Sequence, residues 1–140
     1  MGVILIVICL IATTGIAIER NVNTSYYHLI DNKDYESFLW IKENSPTSAI
    51  ILSDPWKARA LAPVAERRVY AVMPFGPVEE QIKLVNNANN FFAENCTNTT
   101  FLIDNNITVI YATENCQNQD LIQVKDNIYF LKQTNTSSYP

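Results

Sequence analysis

The chain opens on an almost wholly apolar run. Residues 1–18 carry no charged side chain, and the first charges are the cancelling pair Glu19 and Arg20. As a helix rising about 1.5 Å per residue, this run would span roughly 26 Å, just short of a typical hydrocarbon core of about 30 Å. It predicts one short transmembrane helix, because a single segment in lipid can pair its own backbone groups only as a helix. A secretory signal peptide and a buried core helix are the alternatives. The first normally carries a basic start and an A-x-A-like end, and here no Lys or Arg precedes the run. Cys9 within it reads as a small apolar residue. Residues 19–32 are polar with adjacent tyrosines, Tyr26 and Tyr27, which suit a juxtamembrane linker at the headgroup level.

A domain over 33–133 is predicted from the periods that follow. Tyr35, Phe38, Leu39 and Ile41 or Lys42 form a helical stripe, capped by Asp34 and stopped at Pro46. The short apolar run 49–53 reads as a buried strand. Asp54-Pro55-Trp56 then signals a helix start, with Ala58, Leu61, Ala62 and Ala65 at helical spacing over 57–65. A strand over 68–73, the turn 74–77 and a longer helix follow. That helix has acids Glu79 and Glu80 in its first turn and an apolar face of Val78, Ile82, Val85 and Phe92. A short helix at 101–105, a strand at 108–112, and a hairpin of 121–124 with 127–131 joined at Lys125-Asp126 complete the domain. The tail 134–140 reads as flexible. Alternation of helices and strands favours an α/β fold: a small, open, mainly parallel sheet flanked by helices, with a C-terminal β-hairpin.

Composition narrows the chemistry. The 140 residues are 48% hydrophobic with a net charge of −4, which disfavours nucleic acid as a partner. Three glycines, Gly2, Gly15 and Gly76, cannot build a G-x-G-x-x-G turn or a P-loop. His28, the one histidine, falls in the linker, far along the chain from Ser53 and the outer cysteines, so a nucleophile–base arrangement is not expected. One His and two distant cysteines match no zinc spacing. Glu79 and Glu80 are helix neighbours that point apart, and the basic pair Arg67-Arg68 is balanced by Glu66. No catalytic residue, metal or cofactor is expected.

Ligands of open α/β sheets gather beyond the carboxyl ends of the strands. That edge would display Ser53, Asp54, Trp56 and Arg59, then Pro74 and Phe75, then Thr113 and Glu114. Of these, Asp54, Trp56 and Arg59 are the candidate ligand-binding set, a carboxylate and an aromatic face suited to a sugar. The plainer alternatives are a helix cap for Asp54, an anchor for Trp56 and a pairing of Arg59 with Asp54 or Glu66. Five N-x-[ST] sequons, at Asn23, Asn95, Asn98, Asn106 and Asn135, exceed the roughly two that chance gives this Asn-rich chain. Cys96 and Cys116 are a candidate disulfide, two unrelated thiols being the alternative. Together these hints place the C-terminal domain outside the cytoplasm of a cell membrane.

The segment Phe38-Leu39-Trp40-Ile41-Lys42-Glu43-Asn44-Ser45-Pro46 is followed by Ala49-Ile50-Ile51-Leu52-Ser53-Asp54, and then by Arg59 through Arg68. It resembles the extracytoplasmic C-terminal domain of prokaryotic, especially archaeal, multi-pass membrane proteins of the GT-C glycosyltransferase-like group. There, a helix ending in W-I-[RK]-E-N-[TS]-P precedes a strand of the V-I-L-[SA]-D type. The run from Phe101 to Tyr111 is similar to a helix followed by a strand ending in tyrosine. The likeness covers about residues 34–112. It implies an accessory domain beside a multi-pass glycosyltransferase-like partner, with membrane lipid as its other partner and no activity alone, since the family's catalysis lies in membrane helices and loops. A chain that begins directly in the apolar run is also what a fragment of such a protein would give. A cell-surface glycan-binding or structural module is the alternative.

Overall fold

A computed structural model describes residues 29–132 of the chain. The apolar block, residues 19–28 of the linker with Asn23 and His28, and the tail with Asn135 lie outside the described residues. Among the described residues, no helix is long and apolar enough to cross a membrane.

Helix α1 (Asn32–Asn44) starts three residues earlier than the Asp34 cap would place it. Asp31 is the cap: its carboxylate accepts from the Asp34 N–H at 2.7 Å, and the Asp34 carboxylate accepts from the Asp31 N–H at 3.0 Å. This reciprocal pairing satisfies two donors that a helix start leaves open. Ser45 ends the helix, held extended ahead of Pro46, with its N–H and Oγ both donating to the Ile41 carbonyl. The buried face is Asp34, Ser37, Phe38 and Ile41, whereas Tyr35 and Leu39 of the expected stripe are exposed. The face is turned because Asp34 is drawn inward by partners from elsewhere in the fold.

Strand β1 (Ile50–Ser53) leads into a turn at 55–57 and helix α2 (Ala58–Ala65). The Asp54 carboxylate accepts from the Trp56 and Lys57 N–H groups, so it caps this first turn. Strand β2 is only Arg68–Val69, shorter than the expected 68–73. Beyond Tyr70 the backbone leaves the sheet: the Met73 N–H donates to the Pro55 carbonyl, and the Met73 carbonyl accepts from Arg59. Helix α3 (Glu79–Ala93) buries Val85, Ala88 and Phe91, while Val78 and Ile82 of the expected face are exposed. Its contact with the core begins only at Leu84 and Val85. Helix α4 (Thr99–Asp104) is capped by Asn98 and leads to β3 (Ile107–Tyr111). Strands β4 (Leu121–Lys125) and β5 (Ile128–Leu131) form the hairpin, which turns at Asp126-Asn127, one residue later than expected. Asn127 takes the left-handed conformation there (φ 65°), which asparagine tolerates better than most residues.

The sheet has the order β2-β1-β3-β5-β4. β1 pairs parallel with β2 and β3, whereas β5 runs antiparallel to both β3 and β4. The α/β class is as expected, but the sheet is mixed rather than mainly parallel, because the hairpin adds its strands directly onto β3. Alternate strand residues feed two cores. Phe38, Ile41, Leu61 and Ala65 of α1 and α2 pack on Ile51, Val109 and Ile128. Val85, Ala88, Phe91 and Leu102 of α3 and α4 pack on Leu52, Ile110 and Tyr129 from the other face. Each large buried side chain of these layers contributes roughly 1.5–3 kcal/mol.

Candidate functional site

From β1 the chain crosses through α2 to β2 on one side, then returns through α3 and α4 to β3 on the other. Helices therefore diverge to opposite faces where β1 and β3 end, and this divergence opens a crevice at the carboxyl edge. A cleft of about 300 Å³ lies there, lined by Asp54, Lys57, Asn89, Phe92, Asn95, Tyr111, Thr113 and Glu114 among others.

A buried polar cluster forms the floor behind it. Lys57, on the turn after β1, donates from Nζ to both Asp34 oxygens at 2.6 and 2.9 Å. The Tyr111 hydroxyl at the end of β3 donates to the same Asp34 Oδ1. Asp34 is 4% exposed and Tyr111 2% exposed. Burial pushes the Asp34 carboxyl up, but hydrogen bonds from Lys57, Tyr111 and the Asp31 backbone outweigh it and hold the group below its ordinary value. Burial and the facing Asp34 charge push the Tyr111 phenol well above its ordinary value. The three side chains tie α1, the β1–α2 turn and β3 together at the cleft.

The candidate binding residues do not converge on this cleft. Asp54 lines it, with its carboxylate engaged in capping. Arg59 pairs with neither Asp54 nor Glu66: it donates from Nε to the Met73 carbonyl at 2.9 Å, and Glu66 is bonded to Lys42. Trp56 is 47% exposed, so it anchors no core. The Arg59 guanidinium lies 5.2 Å from the Trp56 ring centroid and 3.6 Å from that of Phe75, forming an aromatic–cation–aromatic stack on the side of the edge nearer β2. Ser53 is buried, Pro74 half-buried, and Thr113 and Glu114 stand exposed at the cleft rim. Glu79 and Glu80 are exposed at the start of α3, and Arg67 bonds the Lys42 and Ser45 carbonyls at the end of α1.

Cys96 and Cys116 are joined as a disulfide, their Cα atoms 5.1 Å apart. Around it the Gln117 N–H donates to the Asn95 carbonyl and Asn118 Nδ2 to the Cys96 carbonyl, so the loop after α3 and the loop after β3 form one wall of the cleft. Asn95, Asn98 and Asn106 are all exposed. Asn98 uses its Oδ1 to cap α4, and Asn95 lines the cleft. Among the described residues no group of three or more His, Cys, Asp or Glu side chains is placed to hold a metal ion.

Comparisons with family models, with curated proteins and with solved structures returned no match for this chain. The cluster of Asp34, Lys57 and Tyr111 is the part of the site that sequence reasoning missed. Asp34 and Lys57 are 23 residues apart and Asp34 and Tyr111 are 77 apart, so no local spacing announces them. One signal was legible: Asp31 and Asp34 at capping-box spacing make Asp31 the cap and release Asp34 for another use.

Proposed function

We propose that this chain is a membrane-anchored, extracytoplasmic accessory domain, related to the C-terminal domains of GT-C glycosyltransferase-like membrane proteins and without catalysis of its own. The Cys96–Cys116 bond carries the extracytoplasmic placement, since structural disulfides persist in oxidising compartments. The anchor is supported by the uncharged run 1–18. The accessory role is supported by the state of the cleft's titratable groups: Lys57 and Tyr111 are both committed to Asp34, and burial with the Asp34 charge keeps the Tyr111 phenol protonated far above neutral pH. Groups held in this way position a ligand or a partner and make poor proton shuttles at neutral pH. The rival, a glycan-binding module built on Asp54, Trp56 and Arg59, draws less support, because Arg59 is turned to a backbone carbonyl away from Asp54.

Two measurements on the full chain, taken from whole cells lysed directly into maleimide, test this reading. It should enter the detergent-rich phase on detergent phase separation, and Cys96 and Cys116 should resist maleimide until reduced. Partition into the aqueous phase would overturn the anchor, and immediate labelling of both cysteines would overturn the placement in an oxidising compartment.

A further inference from the structure

The exposed aromatic stack and the point where the chain reaches the domain share one end of the molecule. Lys57 Nζ lies 2.6 Å from Asp34 Oδ1, which fixes the first turn of α1 beside the β1–α2 turn that carries Trp56. The other end of α1 lies at the opposite edge, where Arg67 bonds the Lys42 and Ser45 carbonyls. Residues 29–31, through which the chain arrives, therefore sit on the cleft side. Ten residues, 19–28, separate them from the apolar block and reach at most roughly 35 Å. That length keeps the end at which the chain arrives within reach of the bilayer surface.

The chemistry of this end fits a bilayer surface. Phe75 is 99% exposed at its loop tip, and Trp56, Val72 and Val78 are exposed around it. The tip is built rather than loose: Arg59 stacks on both rings and bonds the Met73 carbonyl, and the Met73 N–H donates to the Pro55 carbonyl. An apolar surface on a fixed loop, with Trp and Arg among its members, is what headgroup-level insertion uses. At this end Asp31, Asp34, Asp54 and Glu114 stand with Lys33, Lys57 and Arg59, which leaves no cationic excess, so a zwitterionic surface suits it better than an anionic one. A short tether supplies an effective concentration of about millimolar, so modest insertion suffices.

We propose that the Trp56–Arg59–Phe75 tip rests in the headgroup layer of the bilayer that holds residues 1–18, turning the carboxyl edge of the sheet and its cleft toward the membrane surface. This rests on the anchored reading above. A domain so oriented presents Lys57, Glu114 and the cleft's asparagines to molecules at the headgroup level.

The full chain carrying Trp40→Phe, which leaves Trp56 as its one tryptophan, is reconstituted into phosphatidylcholine vesicles with and without headgroup-spin-labelled lipid. The expected result is flotation with the vesicles, at least twofold quenching of Trp56 by the labelled lipid, and reduced quenching by aqueous iodide. Phe75→Asp should at least halve the lipid quenching with flotation and far-ultraviolet dichroism unchanged. The chain carrying Trp56→Phe, which reports from Trp40 on α1, should show no lipid quenching. Flotation with Trp56 unquenched by lipid overturns the docking and leaves the anchor standing. Iodide protection without lipid quenching also overturns it, in favour of a second copy or a glycan on the tip. A chain that does not float overturns both readings.

Discussion

Replacing Lys57 with methionine tests whether the polar cluster holds the cleft together. The substitution removes the ammonium that sits 2.6 and 2.9 Å from the two Asp34 oxygens and leaves a carboxylate that is 4% exposed. Stranding one member of a buried ion pair costs about 3–5 kcal/mol. Here the Tyr111 hydroxyl and the Asp31 N–H still donate to Asp34, which brings the expected loss to about 2–3 kcal/mol. Asp34→Asn should cost less, about 1 kcal/mol, because the amide keeps an oxygen for Tyr111 and the Lys57 side chain, already 25% exposed, can turn to water. The double variant should be more stable than Lys57→Met alone, since no buried charge remains in it.

The assay is thermal unfolding of the full chain in nonionic detergent, followed by near-ultraviolet dichroism. For a domain of this size 1 kcal/mol moves Tm by roughly 4–8 °C, so Lys57→Met should lower it by about 10–20 °C. Acid supplies an internal check. The wild-type Asp34 carboxyl is held low, so its stabilisation is present above the unfolded value near pH 4 and lost as pH falls through the folded one. In the Lys57→Met variant burial works against fewer opposing contacts, so protonation relieves the stranded charge and the two proteins should converge in stability below about pH 4. A Lys57→Met loss under about 0.5 kcal/mol, or an Asp34→Asn loss larger than that of Lys57→Met, would refute this account of the cluster.

Reduction of Cys96–Cys116, which closes a loop of 20 residues, should destabilise the domain by about 3 kcal/mol, read as the Tm difference with and without reductant. The Tyr111 phenol is raised in the folded chain, so its contribution is complete below an unfolded value of about 10 and fades as pH climbs toward the folded one; Tyr111→Phe should remove that part of the alkaline loss in a pH series of melts. Leu61→Ala, at a fully buried position of α2, should cost about 2–5 kcal/mol by the same melts, whereas Ile82→Ala near the exposed start of α3 should stay within about 0.5 kcal/mol. On a glycan array, Trp56→Ala should leave the binding profile unchanged; a sugar bound by the wild type and lost in this variant would favour the glycan-binding module.

The order of elements was legible because it is written locally. Pro46 and Asp54-Pro55 punctuate the chain where α1 ends and α2 begins, the apolar run at β1 is short and bounded, and the two C-terminal runs flank a turn. What sequence reasoning lost is what tertiary partners decide. The inward face of α1 includes Asp34 and Ser37, which any apolar periodicity discounts, and Asp34 faces inward because Lys57 and Tyr111 wait there. β2 stops at Val69 because Met73 finds its partners in Pro55 and Arg59 instead of in β1. Val78 and Ile82 have helical spacing yet stay exposed at the start of α3, ahead of its first core contacts, so spacing alone overstated their burial. The carboxyl edge holds a crevice, but which side chains face it depends on a cap, Asp54, which lines it, and on a stack, Trp56 with Arg59, which does not.

Topology, more than any residue, brings these features to one end. A helix that precedes a strand and packs against it antiparallel must begin where that strand ends, so α1 starts at the carboxyl edge of β1 and the chain must arrive there. Reversal of the strand order at β1 and β3 opens the cleft at the same edge. The chain could still have covered that edge with charge, as it does on the exposed first turn of α3. It places Trp56 and Phe75 there instead, on a loop that Arg59 and Met73 hold in position. An apolar tip and a polar cleft gathered on one face make an arrangement in which, under the proposed docking, the surface that meets the bilayer is also the surface the cleft addresses.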